Sequence, residues 1–140
     1  MLEQTLQWVD LVTEIAVPAG IEPAVVLAII WMESRGKPDE FHHISQATGL
    51  MQVIPREAGG RFVDRPTIEE LRDPRTNIQW GTRILVDYLN RKDGLWEALY
   101  HYSGGPVWSS PQRFNNVYWK RFKTAKMHIE HKLREEPSDG

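Results

Sequence analysis

The chain contains no cysteine, which excludes disulfide staples and thiol chemistry and leaves the redox compartment unread. It has no apolar run near the roughly 20 residues needed to cross a bilayer. A basic start followed by an apolar block is missing from "MLEQTLQWVDLVTEIAVPAG", so no signal-peptide pattern is visible. No excess of one charge exists either: the formal net charge is −2, which argues against binding driven by nucleic-acid phosphates. Period-two alternation is nearly absent, and so are internal repeats and low-complexity tracts. Helices should therefore dominate, with at most a small hairpin within residues 37–66.

What is present fits one domain over residues 1–140. At 41% hydrophobic and 26% charged residues, the composition is that of a folded globular chain. Of the six Trp and four Tyr, some must fill the core. Such amphipathic rings also line clefts that hold sugars or other extended polar ligands.

Leu2, Leu6, Val9, Thr13 and Ala16 predict one helical stripe closed by Pro18 and Gly20. A second helix should open at Pro23 and run through "AVVLAIIWMES" to Gly36. It is apolar on every face, the pattern of a central buried helix. "FHHISQATG" reads as loop, "LMQVIP" as a helical turn stopped by Pro55, and "REAGGRFVDRP" as irregular. Thr67 and Glu70 make a capping box. Asp73 and Pro74 open a longer helix with Ile78, Gly81, Leu85 and Tyr88 on one side. "LWEALYHYS" predicts another helix, stopped by Gly104 and Gly105. A last helix within 107–134 carries Phe114, Tyr118, Phe122, Ala125, Ile129 and Leu133, ahead of a frayed tail at 135–140.

Glu33 interrupts this apolar order. It lies four residues after Ile29 and three after Ile30, so it continues a greasy ridge. Burial disfavours a charged carboxylate, and the helix C-terminus adds partial negative charge. Both raise the pKa, which suits a general acid at neutral pH. The competing reading is a terminal-turn glutamate bent out to solvent.

Four motifs in order weigh against the solvent reading. "ESRGKP" at 33–38, "GLMQVIP" at 49–55, "DPRTNIQWG" at 73–81 and "ALYHYSGGP" at 98–106 together resemble the soluble lytic transglycosylase family. The resemblance covers roughly residues 20–106 and implies a mainly α, lysozyme-like α+β fold. Its implied activity is cleavage of peptidoglycan glycan strands with formation of 1,6-anhydromuramoyl ends. By it, Glu33 corresponds to the single catalytic acid and Ser34 to its hydrogen-bonding neighbour. Gly49, Leu50, Met51 and Gln52 correspond to the cleft wall, and Tyr102 to a tyrosine close to the acid. Asn77 and Gly81 correspond to a pair that lets the long helix pack closely.

Several of these residues also admit plainer roles. Leu50 and Met51 are equally good core residues, Gly49 could serve a turn of positive φ, and Tyr102 could be a packing aromatic. Gln52 is the better substrate contact, because an amide both donates and accepts. Departures from the family pattern are Ser103, where asparagine is usual, and Tyr100 and His101, where alanines are usual. Ser103 shortens the reach toward substrate, and both bulky residues are expected to pack.

Two other functions stay open at this level. A lysozyme-like hydrolase, muramidase or chitinase, would need a second carboxylate to activate water, and Asp39, Glu40, Glu57 and Asp64 lie in loops that could supply one. A catalytically silent glycan-binding module is the other. The pairs His42/His43 and His128/His131 lack a third ligand at a metal-binding spacing, so no metal and no cofactor are expected. The expected partner of this monomer is the peptidoglycan glycan strand, with no nucleic acid and no membrane span. The bacterial cell wall would be the site of action. Without a visible leader, the setting expected is a phage lysis or virion-associated protein, or a domain cut from a longer exported chain.

Overall fold

Helix α3 (Pro23–Ser34) is the axis around which the chain is organised. Pro23 occupies its first turn, where a missing N–H costs nothing. Every residue from Ala24 to Ile30 is buried. Each large aliphatic side chain withdrawn from water there contributes about 1.5–3 kcal/mol. The helix stops where Arg35 turns left-handed at φ 57° and Gly36 follows at φ 85°. Gly36 lies hard against the Gln4–Thr5 backbone, leaving no room for a Cβ.

The structure is a computed structural model that describes residues 2–135. Among these, α1 (Glu3–Leu6) and α2 (Val9–Ala16) lead into α3. They are followed by two 3₁₀ turns, α4 (Ile68–Leu71), α5 (Pro74–Arg91), α6 (Gly94–Tyr102), α7 (Gly105–Trp108) and α8 (Pro111–Phe114). A π-helical turn (Asn115–Trp119) then joins α8 to α9 (Lys120–Glu135). Helices α1, α2 and α9 pack on α3, while α5 packs on α2, α4 and α6. Mainly α, lysozyme-like architecture around a buried central helix is what the sequence led us to expect.

Several boundaries differ from the sequence reading. The N-terminal stripe is two helices, because the chain leaves helical geometry at Trp8, whose indole donates to Gly36 O at 2.9 Å. Its buried face carries Thr5, Val12 and Ala16, whereas Thr13 is exposed and bonds back to Val9 O. "LMQVIP" is no helical turn. Thr48 and Val53 exchange backbone hydrogen bonds at 2.9 and 3.1 Å across a tight turn at Gly49–Gln52. A second bridge joins Phe41 to Thr48, so residues 41–53 hold only the rudiment of a hairpin. The last helix is interrupted by the π turn. Of the expected frayed tail, residues 136–140 lie outside the described residues.

The capping expectations hold. Thr67 Oγ1 accepts from Glu70 N while Glu70 Oε1 accepts from Thr67 N, and Asp73 accepts from Thr76 N at 2.9 Å. These caps set where α4 and α5 begin, and α5 in turn supports the turn at 49–52.

Candidate active site

The turn at 49–52 is held by Asn77, which is fully buried on α5. Its Oδ1 accepts from Met51 N at 2.7 Å, and its Nδ2 donates to Thr48 O and Leu71 O, both at 2.8 Å. One amide thus satisfies three backbone groups that would otherwise be orphaned in the interior. Gly49 has φ 81°, and a Cβ there would strike the Asn77 side chain and Leu71 O. Gly81 lies equally close to the Met51 side chain, so the sequence pairing of Asn77 with Gly81 has a physical basis.

Beside this turn opens a cleft of about 450 Å³. Glu33, Gln52, Tyr88, His101, Tyr102 and Ser103 are among its lining residues, with Ile44 and Trp108 on the rim at 78% and 62% exposure. Exposed apolar faces of this kind suit stacking on the apolar face of a sugar ring. Glu33 is half-buried, and Tyr118 donates its phenol proton to Glu33 Oε2 at 2.6 Å. Burial raises the Glu33 pKa to about 7, while the Tyr118 hydrogen bond pulls the other way because it favours the carboxylate. The side chain is therefore poised to hold or release its proton close to neutral pH.

Two phenols flank that carboxyl. Tyr102 donates to Met51 O at 2.7 Å, which fixes the ring against the turn. Burial, and next the Glu33 charge, push the pKa of Tyr102 well above the ordinary phenol value. The same two causes, in the same order, act on Tyr118. Both rings stay neutral and act as hydrogen-bond donors.

The other sequence-nominated residues divide. Gln52, at φ 52°, lines the cleft and donates from Nε2 to Glu40 O and Gly49 O, both at 3.1 Å. Its Oε1 is the atom left to face a ligand. Ser103 lines the cleft with its hydroxyl turned back to Tyr100 O at 3.1 Å. Ser34 is buried under the helix end, donating to Ile30 O and accepting from Gly36 N, so it shapes the turn after Glu33. Leu50 and Met51 are fully buried core residues, and neither lines the cleft. Tyr100 packs against Phe114 and donates to Ser109 O at 2.9 Å. His101 stacks on Tyr88 at 5.9 Å and also borders the cleft.

Sequence reasoning missed Tyr118 as a site residue. It was visible only as a member of an apolar stripe, 85 positions from its partner. Its placement depends on the π turn, a one-turn distortion that recurs at functional sites. Phe114, stacked on Tyr118 at 5.1 Å, and Trp96, which donates to Asn115 Oδ1 at 2.9 Å, brace that turn.

None of Asp39, Glu40, Glu57 and Asp64 lines the cleft, and Glu33 is its one carboxyl among the described residues. Glu57 is engaged elsewhere, accepting from Ile68 N at 2.9 Å at the start of α4.

A helical domain whose central helix delivers one shielded carboxyl into a lateral cleft is of the lysozyme-like class. The sequence profile described as "Transglycosylase SLT domain" matches residues 10–125, and the chain belongs to that family. It is 34% identical over 98 residues to the membrane-bound lytic murein transglycosylase E of Buchnera aphidicola subsp. Acyrthosiphon pisum (strain APS), covering 65% of this chain and 43% of the relative. It is 31% identical over 90 residues to the endo-type membrane-bound lytic murein transglycosylase A of Klebsiella pneumoniae (strain 342), covering 60% of this chain and 44% of that one. The chain therefore spans less than half the length of these relatives. No helix among the described residues is long and apolar enough to cross a membrane.

Proposed function

We propose that the chain is a peptidoglycan lytic transglycosylase domain, acting as a monomer on glycan strands of the bacterial cell wall, with Glu33 as its catalytic residue. The observation that carries this reading is a cleft with one carboxyl, poised to titrate near 7 and bonded to Tyr118. Glu33 protonates the glycosidic oxygen between N-acetylmuramic acid and N-acetylglucosamine as the C1–O bond breaks. The resulting carboxylate takes the proton of the muramoyl C6 hydroxyl, whose oxygen attacks C1 of the same sugar. A 1,6-anhydro ring forms, no water is consumed, and Glu33 ends protonated. Intramolecular attack supplies a high effective concentration, so no second carboxylate is needed to activate water.

Tyr118 steadies the carboxylate between the two proton transfers. Gln52, Tyr102 and Ser103 border the sugar, while Gly49, Leu50, Met51 and Ser34 lie behind them, in the turn and the helix end that hold these groups in place. A hydrolase would require a water-activating carboxylate in the cleft, and the loop acids stand outside it.

The test is mass spectrometry of fragments released from purified cell wall. Anhydro ends one water lighter than hydrolysed ends are expected, together with loss of all release in Glu33→Gln. Hydrolysed ends, or a lytic Gln variant, would overturn the reading.

A further inference from the structure

Beyond the cleft lies a second depression of about 170 Å³ that shares Arg61, Arg65, Ile84 and Tyr88 with it and adds Trp80, Arg83, Asp87 and Arg91. Four guanidiniums meet one carboxylate there. Asp87 Oδ2 is taken by Arg91 at 2.7 Å, and Arg61, Arg65 and Arg83 have no ion-pair partner among the described residues. Such a concentration of positive charge is unexpected in a chain of net charge −2. Arg65 is half-buried, so it carries a desolvation cost with no anion to offset it.

The guanidiniums are held by rings. Arg61 and Arg65 lie over Phe62 at 4.8 and 4.7 Å, Arg83 over Trp80 at 4.8 Å and Arg91 over Tyr88 at 5.0 Å. Stacking on a ring restrains the plane of a guanidinium and leaves its N–H edges to be used. Among the described residues Arg61 and Arg83 give theirs to no partner, Arg65 gives one N–H to Ile54 O at 3.3 Å, and Arg91 keeps Nη1 beside its bonds to Asp87. Those edges match the two oxygens of a carboxylate in a bidentate pair.

We propose that Arg61, Arg65, Arg83 and Arg91 form a carboxylate-binding shelf for the stem peptide that branches from the muramic acid. This rests on the reading of the cleft as a glycan site. A muramic acid held beside Glu33 carries its lactyl-linked peptide away from the sugar backbone, and the carboxylates of that branch are its anionic groups. The shelf adjoins the cleft and has the complementary charge. The domain therefore favours strands that still bear free, uncapped stem peptides over strands stripped of them.

Binding to the Glu33→Gln protein tests the shelf without any chemistry. The probes are a soluble muropeptide with its stem, the same glycan after amidase removal of the stem, and the muropeptide with its carboxylates amidated. At low salt the intact stem should tighten binding at least tenfold over either of the others. Arg83→Gln/Arg91→Gln, which alters residues outside the cleft, should erase that gain while leaving affinity for the stripped glycan within twofold. Equal binding of all three probes overturns the proposal, as does equal loss on stripped glycan. So does a glycerol-phosphate polymer binding as tightly as the stem-bearing probe, since that would make the shelf a phosphate site. Wild-type cleavage is measured separately: release from neither kind of strand would sink the assignment of Glu33, while the binding comparison still decides the shelf.

Discussion

Removing the hydroxyl of Tyr118 offers a sharp probe of how Glu33 is tuned. The phenol donates to Glu33 Oε2 at 2.6 Å and so stabilises the ionised form against burial. A hydrogen bond to a charged group contributes about 1.5–3 kcal/mol, and each pKa unit corresponds to about 1.4 kcal/mol. Tyr118→Phe should therefore raise the Glu33 pKa from about 7 by about 1–2 units. The assay is kcat/KM against pH on solubilised glycan strands, whose alkaline limb reports ionisation of the acid in the free enzyme. That limb should move upward by the same amount. Activity at the optimum should fall, because the carboxylate formed between the two proton transfers loses its donor. An unmoved limb, or one displaced toward acid, would refute the reasoning that Tyr118 holds the pKa down.

Other outcomes follow from the same geometry. Glu33 ionises near 4.5 when unfolded and near 7 when folded, so between those values the native state holds the extra proton and stability falls as pH rises. Glu33→Gln should remove that loss, giving a variant more stable than wild type by about 1–2 kcal/mol at pH 8 and equal to it near pH 4. This figure is about half the full shift, reduced for the edge facing the cleft, and urea titration at both pH values reads it. Asn77→Ala should destabilise by about 3 kcal/mol or more, because it strands three buried backbone groups, and thermal melting measures this. Gly49→Ala should cost about 2–4 kcal/mol, since it combines a left-handed φ with collision against Asn77 and Leu71; denaturant unfolding measures it. Neutralising Asp39, Glu57 and Asp64 together should leave the rate of wall cleavage within about threefold, because none of them reaches the cleft.

What could be read from the amino-acid order was whatever depends on neighbours in the chain. The all-apolar run of α3, the Thr67–Glu70 box and the Asp73–Pro74 start are local patterns, and they appear where their chemistry requires. Glu33 stood out because one carboxyl ended an otherwise greasy helix. Long-range placement was not legible. Tyr118, which sits in the π turn, meets Glu33 across 85 positions, and Trp8 breaks the first helical stripe at the point where its indole reaches a carbonyl 28 positions on. Leu50 and Met51 could be named as cleft wall or as core, and it takes the packing of α5 against the turn to show that both are buried. The arginines of the shelf come from two separate segments, 61–65 and 83–91, and neither is dense enough to stand out alone.

A carbon-13 titration of the Glu33 side-chain carboxyl, resolved by comparison with Glu33→Gln, addresses the centre of the account most directly. A midpoint near 7, moving upward in Tyr118→Phe, is the result expected. A midpoint at the ordinary glutamate value of about 4.3, unaffected by Tyr118, would contradict it.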